Sequence, residues 1–126
     1  MNFTYIGKLN TEILKEEFGE LATDELILMD ERDDHIKERH EDDYKLFHQV
    51  VFEVINTPDI ILKDSKNNNT VFYIKYIEET NMNVVIKLVI EKEDTDKKNS
   101  IITAYQLGEK TLKRVKKKNK VLYNKE

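Results

Sequence analysis

Two short segments, far apart in the chain, concentrate side chains that can carry acid–base chemistry. Residues 35–40 read His-Ile-Lys-Glu-Arg-His, so two imidazoles and a guanidinium fall within one short stretch of a predicted helix. Residues 100–105 read Ser-Ile-Ile-Thr-Ala-Tyr, so hydroxyl groups fall within an otherwise apolar strand. Lys87 adds an ammonium group to the middle of a third, apolar segment. Together these groups suit proton transfer and charge stabilisation on a phosphodiester without a metal ion.

The helical segment does not have the spacing of a metal site. His35 and His40 are separated by about 140° around a helix that turns about 100° per residue. A zinc helix instead presents two histidines four positions apart on one face. His48 offers no third ligand that the spacing can place beside them. We therefore expect no metal and no other cofactor, and the alternative interpretation of these histidines is that they are ordinary surface residues.

The strand candidates also have a purely structural alternative. Lys87 alternates with valines along its strand, so it must pair with an acid, line a cleft or extend along the apolar surface to solvent. Thr103 and Tyr105 are expected to share one strand face with Ile101, but threonine and tyrosine are common in strands without any function. Thr70 is likewise an ordinary residue with which to open a strand.

Composition limits the class of protein. The chain has 126 residues, a formal net charge of −4 and no cysteine, which excludes disulfides, thiolate zinc sites and cysteine nucleophiles. No apolar stretch approaches the roughly 20 residues of a membrane span, so no membrane contact is expected. The charge is uneven: residues 1–60 contain 6 Lys and Arg against 16 Asp and Glu, whereas residues 61–126 contain 15 against 9. The basic part can contact phosphates or simply keep the chain soluble, and the acidic part can repel RNA or dock a basic partner.

The period of the apolar residues changes once along the chain. From Phe47 to Ile55 they recur at helical spacing, which predicts a helix that begins at Asp42 or Asp43 and ends before Pro58. After Pro58 the period becomes two. Further helices are expected over Thr11–Phe18 and Asp30–His40. Strands are expected over Asn2–Leu9, Glu25–Met29, Asp59–Asp64, Thr70–Glu78, Asn83–Glu91 and Ser100–Leu107, with a turn over Glu79–Met82 and a charged loop over Glu93–Asn99.

Helices first and strands after them, joined by short connections, predict an α+β fold. In it, N-terminal helices pack on an antiparallel sheet of about four strands. We expect a single domain over residues 1–126, with a mainly helical half over 1–57, the sheet over 58–107 and a basic C-terminal helix or tail over 108–126.

Several segments together resemble a phage-associated nuclease domain of the group that links barnase, EndoU, colicin-type tRNases and RelE-like toxins. The segments that carry the resemblance are Tyr5–Leu9, Thr23–Ile27, Asp30–Arg32, His35–His40, Pro58–Asp59, Asn69–Thr70 and Ser100–Tyr105. In phage and prophage genomes the domain occurs alone or fused to head-morphogenesis proteins. The resemblance covers nearly the whole chain.

The resemblance implies a barnase/RelE-like fold and metal-independent endoribonuclease activity at the sheet face, by attack of the ribose 2′-OH. The implied catalytic residues are His35, Arg39, His40, Lys87 and Thr103, and the implied substrate-binding residues are Thr70 and Tyr105. Transition-state charge is stabilised only over short distances. Lys87 and Thr103 should therefore face the helix that carries Arg39, and His35 or His40 should reach the same cleft.

The implied partners are RNA (tRNA among the candidates), an immunity or antitoxin protein, and a phage head-morphogenesis protein. The implied location is the cytoplasm of a bacterial host or the phage particle. The alternative from a different class is a non-catalytic binding or structural module of the phage particle with the same fold. Convergence of Lys87, Arg39 and a histidine in one concavity would favour the enzyme, whereas histidines that face solvent on opposite sides would favour the binding module.

Overall fold

The computed structural model describes residues 2–91 and 97–125. The elements, in chain order, are β1 (Phe3–Lys8), α1 (Thr11–Phe18), β2 (Glu25–Met29), α2 (Asp30–Arg39), α3 (Glu41–Asn56), β3 (Ile60–Lys63), β4 (Thr70–Ile77), β5 (Thr80–Lys87), β6 (Asn99–Leu107), α4 (Glu109–Lys118) and β7 (Lys120–Asn124). Every expected helix and strand is present to within a few residues at its ends. The expected loop over Glu93–Asn99 lies largely outside the described residues.

The helix predicted before Pro58 is confirmed as α3. Its buried side chains form one stripe, as the spacing predicts, and they are Phe47, Val50, Val51, Val54 and Ile55. Acidic residues occupy its first turn, where the partial positive charge of a helix N-terminus favours them. At its other end the Thr57 hydroxyl donates a hydrogen bond to the Glu53 carbonyl oxygen (3.0 Å) immediately before Pro58. No helix of the described residues is long and apolar enough to cross a membrane.

Strands β3 to β6 form the expected antiparallel meander, in which β5 is paired on both sides. A two-residue turn at Glu78 and Glu79 joins β4 to β5, and both residues have positive φ (49° and 67°). Such a turn matches the twist of the flanking strands. The longer turn expected over Glu79–Met82 is therefore wrong, because β5 already begins at Thr80.

The sheet has seven strands rather than about four, in the order β1-β2-β6-β5-β4-β3-β7. At one edge β1 pairs with β2, and β2 pairs in parallel with the start of β6, which makes the sheet mixed. At the other edge β7 pairs with β3, after the C-terminal segment has formed the helix α4. Short loops predict pairing between consecutive strands. None of the three additional strands, β1, β2 and β7, is joined to its neighbour in the sheet by a short loop.

A buried asparagine holds the parallel pairing in place. Asn99, the first residue of β6, is 0% exposed. Its side-chain Nδ2 donates hydrogen bonds to the carbonyl oxygens of Thr23 (2.8 Å) and Glu25 (2.9 Å), and its Oδ1 accepts one from the backbone N–H of Val89 (2.9 Å). The β2–β6 pairing covers only Leu26 with Asn99 and Ile27 with Ser100. The amide therefore fixes a register that so short a pairing would define weakly.

The two faces of the sheet pack against different helices. Helices α1, α2 and α3 cover one face, the helical face, in a core that includes Leu14, Ile36, Phe47, Val71, Tyr73, Val84, Ile86 and Ala104. Helix α4 packs through Leu112 on part of the other face, the α4 face, against Leu62, Ile74 and Leu107. The alternation of side chains along β5 and β6 thus decides which residues meet the helices.

A β-bulge in β6 changes which residues share a face. Val85 lies opposite Thr103 and Ile86 lies opposite Ile101, so Ile102 is the extra residue. Ile101 is fully buried in the core of the helical face, whereas Thr103 lies with Val85 on the α4 face. The expectation that Ile101 and Thr103 share a face is wrong, because the bulge interrupts the alternation.

We expect Asn99→Ala to lower the free energy of unfolding by about 3 kcal/mol, because it leaves buried backbone groups of three segments without partners. Asn119→Ala is the matched control: its side chain also bonds two backbone groups, Ser65 N–H and Val115 C=O, but at a site that water reaches. We expect the control to cost less than about 1 kcal/mol. Urea unfolding followed by circular dichroism measures both, and equal losses would contradict the assignment.

Tyr73→Phe should raise the free energy of unfolding by about 1 kcal/mol, since the Tyr73 hydroxyl is buried and has no hydrogen-bond partner among the described residues.

Burial also raises the pKa of Tyr73 far above its ordinary value. The folded protein therefore keeps this proton above about pH 10 while the unfolded chain loses it, and stability falls there by about 1.4 kcal/mol per pH unit. In urea titrations the Phe variant should show a smaller decline than wild type, and the rest of the decline comes from groups such as Tyr44 and Tyr105, whose pKa values are also raised.

Candidate active site

The corner between α2 and α3 lies against the edge of β6, at the part of β6 that follows the short pairing with β2. Asp43, in the first turn of α3, accepts a hydrogen bond from the backbone N–H of Gln106 at Oδ2 (3.0 Å) and one from Gln106 Nε2 at Oδ1 (2.8 Å). A carboxylate thus binds an edge amide that a neighbouring strand would otherwise bind. This contact fixes the corner, with His40 between the two helices, beside the end of β6.

His40 meets Tyr105 at this corner. The centroids of their rings are 5.1 Å apart, with the ring planes inclined by 32°. The backbone N–H of His40 donates to the Ile36 carbonyl oxygen (2.8 Å), and its own carbonyl oxygen accepts from Asp43 and Tyr44 (both 2.9 Å). The imidazole is therefore carried on a well-bonded backbone, and it remains partly exposed.

A second polar cluster joins α2 to α3 and supports the corner. Asp33 Oδ1 lies 2.7 Å from His48 Nε2, and Tyr44 donates a hydrogen bond from its hydroxyl to Asp33 Oδ2 (3.0 Å). The Tyr44 and His48 rings are in edge contact, with 4.6 Å between centroids. Burial and then the hydrogen bond to Asp33 raise the pKa of Tyr44, so the phenol keeps the proton that it donates. The third histidine thus has a role in holding the helices together.

Tyr105 lies on the α4 face, opposite Asn83. Burial raises its pKa most strongly, a hydrogen bond from the Asn83 side chain opposes this, and the charge of Asp64 raises the pKa further. The net effect is an increase, so the phenol is protonated at neutral pH. Tyr105 can therefore donate a hydrogen bond to an anionic group.

Two polar atoms beside this pair lack partners. Thr103 Oγ1 and Asn83 Oδ1 are buried and make no hydrogen bond to any of the described residues. Leaving such an atom unpaired costs about 1–3 kcal/mol, so a fold seldom retains it without a reason. A bound molecule that offers a hydrogen-bond partner is one such reason. Both oxygens are shielded in this conformation, so a rotation about χ1 of Thr103 is needed before its hydroxyl can meet a ligand.

Lys87 and Thr70 lie opposite each other on β5 and β4, and both bond the turn that precedes Thr70. The Asn68 carbonyl oxygen accepts from Lys87 Nζ (2.7 Å) and from the Thr70 hydroxyl (3.0 Å). Their first role is thus to hold the turn. The expectation that Lys87 and Thr103 face the helix carrying Arg39 is wrong, since their neighbours along the strands, Ile86 and Ala104, are the residues that meet the helices.

The structure places His35 and Arg39 differently from His40. His35 lines a shallow depression together with Arg32 and three acidic residues, Glu31, Asp34 and Glu38. Arg39 is exposed and forms no hydrogen bond or ion pair with the described residues. Of the predicted site residues, the structure therefore brings together His40, Thr103 and Tyr105. No group of three His, Asp or Glu side chains in residues 2–91 and 97–125 is arranged to hold a metal ion, and the predicted lack of a metal site stays a prediction.

A wider depression lies elsewhere and does not suit the same chemistry. It is lined by Lys63, Lys120, Glu17 and the turn at residues 65–69. Both lysines already pair with Glu17, at 2.9 and 2.5 Å, and Asp64 adds a second carboxylate, so the two positive charges are compensated within the depression. Its carboxylates would repel a phosphate.

Two residues of the site escape sequence reasoning. Asn83 places an amide in an apolar strand, a signal comparable to that of Lys87. Asp43 looks like an ordinary helix-capping acid, and only the packing of α3 on β6 shows that its carboxylate binds Gln106.

The comparison with protein families identifies the class of domain. The model of the family described as phage-Barnase-EndoU-ColicinE5/D-RelE like nuclease2 matches residues 6–124, nearly the whole chain. No curated protein and no solved structure matches the chain. The resemblance that the sequence segments predict is confirmed, and the chain belongs to this family of phage nuclease-like domains.

Proposed function

We propose that the chain is a metal-independent endoribonuclease that cleaves a phosphodiester on the α4 face of its sheet, at the His40 corner. The observation that carries the proposal is the contact between His40 and Tyr105, 5.1 Å between ring centroids, beside two buried polar oxygens without partners. An imidazole and a protonated phenol provide a base and a hydrogen-bond donor within one small site. Membership of a nuclease family supports the class of reaction.

The groups at the corner fit the steps of RNA cleavage by internal attack. His40 takes the proton of the ribose 2′-OH as the 2′ oxygen bonds to phosphorus. The bond from phosphorus to the 5′ oxygen then breaks, and the 5′ oxygen takes a proton from water. Tyr105 and, after rotation about χ1, Thr103 donate hydrogen bonds to phosphate oxygens, where negative charge increases in the transition state. Arg39, adjacent to His40 and free of ion pairs with the described residues, supplies an exposed cation at the same corner.

The distribution of charge supports approach of RNA to the α4 face. Helix α4 carries six Lys and Arg residues against one Glu, and it packs on this face. Helices α1 to α3 lie on the other side of the sheet, within the N-terminal 60 residues that carry a net charge of −10. That acidic layer suits a protein partner, either an immunity or antitoxin protein or a head-morphogenesis protein. Host cytoplasm and phage particle remain the two proposed locations.

A non-catalytic module of the phage particle is the second candidate. It is favoured by the contacts of Lys87 and Thr70, which hold the Asn68 carbonyl oxygen, and by the shielded Thr103 hydroxyl. In that case the same surface would bind a partner without turnover. Activity measurements on His40 and Thr103 variants separate the two candidates.

We expect purified protein to cleave total RNA or tRNA in the presence of EDTA, and His40→Ala to lower the rate by on the order of 10²–10⁴, the usual scale for loss of an acid–base group. His35→Ala is the matched control on the same helix, and its effect should be small because His35 lies among acids away from Tyr105. Gel analysis of RNA fragments measures the rates. Intact RNA with native circular dichroism would support the binding module, and equal loss in both variants would contradict the role of His40.

Thr103→Val should separate stability from activity. Removal of a buried, unpartnered hydroxyl should raise the free energy of unfolding by about 1 kcal/mol. Loss of a donor to the transition state should lower the cleavage rate by about 10-fold or more. Thr70→Val should behave in the opposite way in the stability assay, because its hydroxyl is bonded to Asn68. Full activity in Thr103→Val would remove Thr103 from the site.

A further inference from the structure

The register of the sheet places five residues from five strands in one row across the α4 face. In order across the strands, they are Tyr5 (β1), Ile27 (β2), Ser100 (β6), Lys87 (β5) and Thr70 (β4). Neighbouring strands are about 4.8 Å apart, so Tyr5 lies about 10 Å from Ser100 and about 15 Å from Lys87. The row thus joins the β1 edge of the sheet to the face on which Thr103 and Tyr105 lie.

The residue at the end of this row is an exposed aromatic side chain. Tyr5 is 46% exposed, although it lies on a strand beside Ile27, which is only 7% exposed. Phe3, 45% exposed, lies further along the same face, opposite Met29. Exposed aromatic rings on a sheet surface are the usual platform on which proteins stack unpaired bases.

Charge distinguishes the surroundings of these two rings. One step from Tyr5 along the same face, Lys8 lies opposite Glu25, and Lys98 Nζ contacts Glu25 Oε1 at 2.6 Å, so two cations surround one acid. Two lysines against one carboxylate leave positive charge on the Tyr5 side. Phe3 instead lies beside the start of α2, whose first turn contains Asp30, Glu31 and Asp33. Phosphates next to a stacked base are therefore accommodated at Tyr5 and repelled at Phe3.

We propose that Tyr5 is a stacking subsite for an unpaired base of the RNA, a few nucleotides from the bond that is cut at His40. This subsite rests on the proposed function, which identifies the polymer as RNA. The RNA must therefore be single-stranded where it crosses β1, because a base within a duplex has no free face on which the Tyr5 ring can stack. Phe3 contributes less, owing to the acids beside it.

The test is a binding titration with a fluorescent, single-stranded 2′-O-methyl RNA of about eight nucleotides, which internal attack cannot cleave. Tyr5→Ala should weaken binding by about 10-fold, the scale for loss of one stacked base, and Tyr5→Phe should stay within about two-fold of wild type since it keeps the ring. Phe52→Ala is the matched control, an exposed aromatic residue (51%) on α3, on the other side of the sheet, and should bind as wild type does. Phe3→Ala should have a smaller effect than Tyr5→Ala.

The outcomes for the subsite and for the nuclease are separable. Unchanged binding in Tyr5→Ala, equal loss in Tyr5→Phe, equal loss in Phe52→Ala, or duplex RNA bound as tightly as the single strand would each overturn the subsite, even if unmodified RNA is cleaved. Tyr5-dependent binding of the single strand without cleavage of unmodified RNA would keep the subsite and contradict the nuclease. Cleavage of a dinucleotide should be insensitive to Tyr5→Ala, since so short a substrate does not extend from the His40 corner to β1.

Discussion

The arrangement of the molecule depends on the three hydrogen bonds of one buried amide. Asn99 joins the chain before β2, β2 itself and the segment after β5 to the first residue of β6. Without a fixed origin for β6, neither the parallel pairing with β2 nor the position of the α2–α3 corner beside Gln106 would be defined. An amide suits this task because it donates and accepts at once, and burial strengthens the preference for the one geometry that satisfies it.

How far the fold follows from the sequence depends on the range of the contacts. Helix α3 and the β3–β6 meander are predictable, because a local apolar period and short loops specify them. The parallel β2–β6 pairing and the β3–β7 pairing are not, since residues distant in the chain make them and Asn99 gives no local signal of its partners. The faces of β6 are predicted with an error of one residue, because the bulge at Ile102 depends on pairing with β5.

The candidate site is likewise predictable from the sequence only in part. Residue types in the sequence identify His40, Thr103 and Tyr105 as candidates, and the structure brings these three together. His40 and not His35 meets Tyr105 because the helical corner lies on the edge of β6. The geometry of the helix alone does not predict that position. The polar atoms left unpaired at Thr103 and Asn83 lower stability at the corner while the apolar core of the helical face compensates for them. Charge is divided in a similar way across the sheet, with acidic helices on one side and the basic α4 on the other.

The bond between Asp43 and the Gln106 amide also affects self-association. Beyond its short pairing with β2, β6 would present an open edge along an apolar stretch, and such edges recruit strands from other copies of a protein. The carboxylate and the helical corner cover that edge. The same contact that positions an imidazole thus also protects the protein from edge-to-edge aggregation, so the solubility of variants that loosen the corner should be measured as well as their activity.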